Sequence, residues 1–130
     1  RNWKHFFPMS APKPEELLKK RCLPCEGGVT PMNRAKAGEY LTALSGWSLA
    51  EDALSIRKEY KFKNFKEVIA FFNQIAQVAE KENHHPDLKM GYSRVAVELS
   101  THAIQGLSEN DFILAAKFDR VTTDFSPEPQ

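Results

Sequence analysis

One segment limits the architecture more than any other. Between Asn64 and Pro86, the residues Phe65, Val68, Ile69, Phe72, Ile75, Ala76 and Ala79 recur at three- and four-residue steps. That spacing predicts a helix with one apolar face. Asn64 with Glu67 three residues later gives a capping-box-like start. Pro86 forbids continuation, so the helix is expected to end at about Asn83. The flanking segments alternate instead. Ile56, Tyr60 and Phe62 fall on one face, with Ser55, Arg57, Glu59 and Lys61 on the other. Later, Val95, Val97 and Leu99 alternate with Arg94, Ala96 and Glu98. Both patterns predict strands with one buried and one wet side.

The remaining elements fit around this frame. Thr30-Pro31 offers an N-cap followed by proline at the first helical position, Ala37, Tyr40, Leu41 and Leu44 continue at helical spacing, and Gly46 suits the stop. Trp47-Ser48-Leu49 begins a strand, and Glu51-Asp52-Ala53 turns it toward the next, predicting a hairpin. A short helical stretch is expected over Glu15 to Arg21, and a loop at Cys25-Glu26-Gly27-Gly28. Gly106 turns the chain, and Ser108 with Asp111 repeats the capping logic before Leu114, Ala115, Phe118 and Val121. The order helix, strand, strand, helix, strand or strand pair, helix predicts an α+β fold: an antiparallel sheet of about four strands with helices packed on one face. Residues 1–14 read as a flexible N-terminal arm, 15–121 as a single domain and 122–130 as a polar tail that frays. A half-exposed sheet with open edges suits a homodimer or a homotetramer.

Composition excludes several function classes. Among 130 residues, 27% are charged yet the formal net charge is +1, which leaves no field to steer nucleic acid. The longest basic cluster, Lys19-Lys20-Arg21, is short and lacks interleaved aromatics. No apolar run approaches the roughly 20 residues of a membrane span. Cys22 and Cys25 lie in a Pro/Gly-rich stretch without a second ligand pair, so they read as inert thiols rather than a zinc or redox site. A reducing, cytoplasmic setting follows, or an organellar one if residues 1–8 are the remnant of a leader ahead of Met9.

The histidines are the candidates for chemistry. His84 and His85 follow the long helix, and His102 follows the strand ending at Leu99. If that strand runs back beside the helix, the three converge on one end of the sheet. Glu80 precedes His84 by four residues and would share its helix face, where a carboxylate can orient an imidazole. Histidine can give or take a proton near neutrality, so a pair across a pocket can serve a reaction needing both. An adjacent His pair before proline is equally a polar helix terminus. A metal site is the sharper rival, although the i, i+4 histidines that suit zinc on a helix are missing. Trp47 reads either as a stacking surface for a flat ligand or as a core residue.

The run Glu80-Lys81-Glu82-Asn83-His84-His85-Pro86, with Tyr92, Val95, Ser100-Thr101-His102, Gly106-Leu107-Ser108 and Asp111, resembles the pterin-4a-carbinolamine dehydratase family. Cys25-Glu26-Gly27-Gly28 and Gly46-Trp47 extend the similarity to about residues 17–121, in a bacterial-type pattern. The resemblance implies dehydration of a 4a-hydroxytetrahydropterin to quinonoid dihydropterin, as in tetrahydrobiopterin recycling, with no metal, redox cofactor or covalent nucleophile. It implies His84 and His102 as the acid/base pair, His85 holding and polarising the pterin, and Glu80 supporting the first histidine. Trp47 and Asp111 would lie near the pocket as substrate-binding residues, although Asp111 also has a capping task to perform. Some members carry Asp where this chain has Asn83, and an amide cannot ionise, so no base is expected there. The resemblance also implies rival roles: a protein-binding module of the transcription-coactivator kind, or service in another pterin-dependent pathway.

Overall fold

The structure, a computed structural model, describes residues 12–24 and 30–125. The elements in order are α1 (Pro14–Lys19), α2 (Arg34–Leu41), β1 (Ser48–Leu49), β2 (Ile56–Lys61), α3 (Phe65–Glu82), β3 (Asp87–Met90), β4 (Arg94–Leu99), a 3-10 turn (His102–Ile104) and α4 (Glu109–Phe125). The four strands form one antiparallel sheet in the order β1-β2-β4-β3. This is the α+β architecture that the alternating segments and the apolar helix face require. The expected loop at Cys25-Glu26-Gly27-Gly28 lies outside the described residues. No helix among the described residues is long and apolar enough to cross a membrane.

Register explains which sheet face is buried. Ile56 pairs with Leu99 and Tyr60 with Val95, so their side chains share one face with Val97. That face is closed by Val68, Phe71, Ile75 and Ala79 of α3 and by Phe112, Ala115 and Phe118 of α4. Lys58, opposite Val97, also lies on the inner face. Its ammonium reaches Asp119 of α4 at 2.9 Å and the Ser45 carbonyl at 2.8 Å. The Tyr60 hydroxyl donates to the same carboxylate at 2.6 Å. The buried Tyr60 and the half-buried Lys58 thereby tie α4 to the sheet.

Several expectations need correction. The first long helix starts at Arg34, not after Thr30, because Met32 N–H is drawn to the Leu107 carbonyl at 2.8 Å and Asn33 becomes the cap, accepting from Lys36 N–H at 2.8 Å. It ends at Leu41, well before Gly46. Ser55, expected on the wet side, is buried and donates to Glu98 at 2.8 Å. In α3 the deepest aromatic is Phe71, which the repeat omitted, while Phe65 is exposed. Phe71 sits 4.8 Å from Tyr60 and 5.0 Å from Phe62, ring centre to ring centre, so the strand aromatics set the rotation of the helix. The last helix passes Val121 and runs to Phe125, through the start of the expected tail.

Candidate active site

The end of α3 determines where the histidines point. Asn83 adopts the left-handed conformation with φ 54°, which Asn tolerates better than most non-glycine residues. Its N–H donates to the Glu80 carbonyl at 3.2 Å and the His84 N–H to the Ala79 carbonyl at 3.1 Å. These paired bonds are a Schellman stop. The reversal breaks the helical spacing from Glu80, so His84 and His85 leave in separate directions.

His84 turns inward. Its Nε2 lies 2.7 Å from Asp111 Oδ1, with the two side chains 11% and 0% exposed. Asp111 stands in the first turn of α4, where the helix dipole favours an anion. Its other oxygen accepts from Thr101 Oγ1 at 2.8 Å and from Ser108 N–H at 3.0 Å. Because the Thr101 proton is committed to the carboxylate, the Ser108 hydroxyl 2.7 Å away donates to Thr101 Oγ1. Ser108 Oγ in turn accepts from Asn110 N–H at 3.2 Å. Every proton in this chain therefore has one direction. A carboxylate can only accept, so the proton facing it sits on His84 Nε2, and in the neutral ring Nδ1 is then the proton acceptor.

His85 turns outward. Its Nε2 lies 2.6 Å from Glu80 Oε2, with side chains 54% and 77% exposed. Glu80 thus serves the second histidine, not the first as expected, because the left-handed Asn83 ends the four-residue alignment. His102 opens the 3-10 turn, and that turn is closed at its base by bonds between Thr101 and Gly106. A Cβ on Gly106 would lie 2.6 Å from Pro31 Cβ, so the close approach of the two segments requires glycine there.

His84, His85 and His102 line one cleft of about 460 Å³, together with Ser100 and Thr101. The stretch Cys22-Leu23-Pro24 also lines this cleft. Asp111 lies beneath His84, fully buried, rather than in the cleft. Trp47 is placed elsewhere: it is buried, its indole N–H faces both oxygens of Asp119 at 3.1 and 3.2 Å, and its ring meets Tyr60 edge-on. The core alternative therefore describes it. Among the described residues no group of three or more His, Cys, Asp or Glu side chains is arranged to hold a metal.

Sequence reading missed the ties behind the cleft. Glu82 looks like a solvated helix charge but is buried, accepting from Cys22 N–H at 2.8 Å and pairing with Lys117 Nζ at 2.6 Å. Burial pushes its carboxyl up, yet the Lys117 ammonium and the Cys22 N–H outweigh that and hold it below the ordinary carboxylate value. Asn110 accepts from Leu23 N–H at 2.9 Å and donates to the Leu23 carbonyl at 2.6 Å. Burial and the neighbouring Glu82 push the Cys22 thiol up to about 12, so it stays protonated and is a poor nucleophile. The one available signal was period: Glu82 continues the buried series of Phe71, Ile75 and Ala79.

Comparison with known proteins agrees with the signature. The model of a family described as pterin 4 alpha carbinolamine dehydratase matches residues 30–121. A protein of Halorhodospira halophila, named provisionally as a pterin-4-alpha-carbinolamine dehydratase, is 50% identical over 103 residues, covering 79% of this chain and 94% of its own. One of Nitrosospira multiformis with the same provisional name is 45% identical over 105 residues, covering 81% and 91%. A crystal structure titled transcriptional coactivator/pterin dehydratase, from Brucella melitensis, superposes with a TM-score of 0.68 at 35% identity, covering 71% of this chain and 98% of that one. A pterin dehydratase-like protein described as a RuBisCO assembly factor shares the fold at 22% identity and a TM-score of 0.53, covering 59% and 89%.

Proposed function

The chain belongs to the pterin 4 alpha carbinolamine dehydratase family, and from that premise we propose that it dehydrates a 4a-hydroxytetrahydropterin to the quinonoid dihydropterin by histidine acid/base catalysis. The observation that carries the reading is the buried His84–Asp111 pair opening onto a cleft that also holds His85 and His102. The reaction breaks the bond between the 4a carbon and its hydroxyl, which leaves as water once protonated. The proton on the adjacent ring nitrogen departs, and its electron pair forms the new double bond to the 4a carbon. One acid and one base suffice, and both can be imidazoles.

The roles divide by environment. His84, fixed by Asp111 at Nε2, is suited to hold a proton at a defined place. His102, which lines the same cleft at the head of the 3-10 turn, is the partner for the opposite transfer. His85, steadied by Glu80 in solvent, is suited to binding and polarising the ring. Asp111 acts through His84 as a positioning residue rather than as a ligand of substrate.

A second reading, a protein-binding module, is favoured by one feature. Phe65, Ile69, Phe72 and Ala76 line α3 beside its buried face; Phe65 is exposed and the others are half-buried. The two readings use different surfaces and are separable. Purified protein should accelerate dehydration of synthetic 4a-hydroxytetrahydropterin, followed by ultraviolet absorbance. No acceleration over buffer at neutral pH would leave the binding module as the standing alternative. His102→Ala should lose about 10²–10⁴-fold in rate while keeping its circular dichroism spectrum.

A further inference from the structure

The stretch Cys22-Leu23-Pro24, which lines the cleft with the histidines, precedes the region matched by the family model and is fixed more firmly than an exposed chain segment needs to be. Cys22 N–H is held by Glu82, which is itself held by Lys117. Leu23 is gripped at both its N–H and its carbonyl by one buried side-chain amide, that of Asn110. The backbone of this strap is thus held at three points, yet Leu23, which lines the cleft, is 69% exposed. An apolar group held so open by a fixed backbone gains little from its own fold.

The cleft supplies the reason. Its polar lining includes Ser100 and Thr101 together with the three histidines. Its apolar lining comes from Leu23, Pro24, Pro86 and Ala103, and the strap contributes two of these four. A fused flat heterocycle has polar edges and apolar faces, so it needs polar groups for orientation and an apolar surface for its ring.

Resting on the pterin reading above, we infer that the Cys22–Pro24 strap is a substrate-binding wall, with Leu23 packing on the ring and Asn110 as the residue that positions it. Truncating Leu23 then removes contact made equally in the ground and transition states, which raises KM and leaves kcat. The test measures both constants for wild type, Leu23→Ala, Leu23→Met and Asn110→Ala, with Kd for 7,8-dihydrobiopterin measured by equilibrium dialysis. Leu23→Ala should raise KM and Kd about three- to tenfold, at the low end of what a lost apolar contact costs. Its kcat should stay within about twofold of wild type. Leu23→Met should restore both constants, and Asn110→Ala should reproduce the KM rise, which a purely structural clamp would not. An active wild type with KM and Kd unchanged in Leu23→Ala overturns the strap assignment alone. A wild type that neither turns over the carbinolamine nor binds the dihydropterin overturns the pterin reading, and the strap assignment with it.

Discussion

Two histidine–carboxylate pairs stand side by side in this molecule and differ in almost everything except length. His84–Asp111 is 2.7 Å and His85–Glu80 is 2.6 Å. The first is buried, crosses from the end of α3 to the start of α4, and ends in a chain of hydroxyls and amides. The second is local and open to water. Distance alone would rank them equal. The dielectric around them does not, because an exposed pair is screened and typically contributes little, whereas a buried carboxylate depends on every donor it has. The buried pair fixes a tautomer; the exposed pair steadies a side chain.

Exchanging each carboxylate for its amide should expose that difference. Asp111→Asn turns an obligate acceptor into a group that can also donate, so it no longer specifies the proton on His84 Nε2. A fall in kcat of about 10²-fold or more is expected, by the logic that governs a buried Asp behind a catalytic histidine. The same change should lower stability by about 1–3 kcal/mol in urea titration, since the Thr101 and Ser108 donors lose a charged partner. Glu80→Gln should change kcat by less than about threefold, with no shift in the urea midpoint. Equal losses in the two variants would erase the distinction.

A third pair, Lys117–Glu82, sharpens it from the side of pH. The Glu82 carboxyl is held below its ordinary value of 4.5. A depressed carboxyl stabilises the fold above the unfolded value, and that contribution is lost as pH falls through the folded one. Thermal melts below pH 4.5 should therefore fall more steeply for wild type than for Glu82→Gln. Parallel curves would mean that the Lys117–Glu82 pair is uncoupled from folding. The smallest expected effect is ionic: raising salt from 0.05 to about 0.5 M should alter KM modestly through His85–Glu80 while leaving kcat unchanged.

The frame was legible in sequence because period speaks directly to burial. Alternation in β2 and β4 placed Ile56, Tyr60, Val95, Val97 and Leu99 correctly on the core side. The capping pattern Ser108 to Asp111 also marked the start of α4. What escaped was set by tertiary contact. Phe71 was passed over because the repeat fits an outer stripe nearly as well, and only Tyr60 and Phe62 decide between them. Of the site, spacing found His84, His85 and His102, and the structure brings these three to one cleft. It could not say which carboxylate belongs to which imidazole, since that turns on one left-handed residue, Asn83. Nor could it reveal the partners of Asn110 and Glu82, which lie 87 and 60 residues away in the strap.

The division of labour between the two histidines is tested most directly by steady-state dehydration kinetics of His84→Ala and His85→Ala against wild type. His84→Ala should lose about 10²–10⁴-fold in kcat, whereas His85→Ala should act chiefly by raising KM. Equal kcat losses, or a larger loss for His85→Ala, would contradict the account.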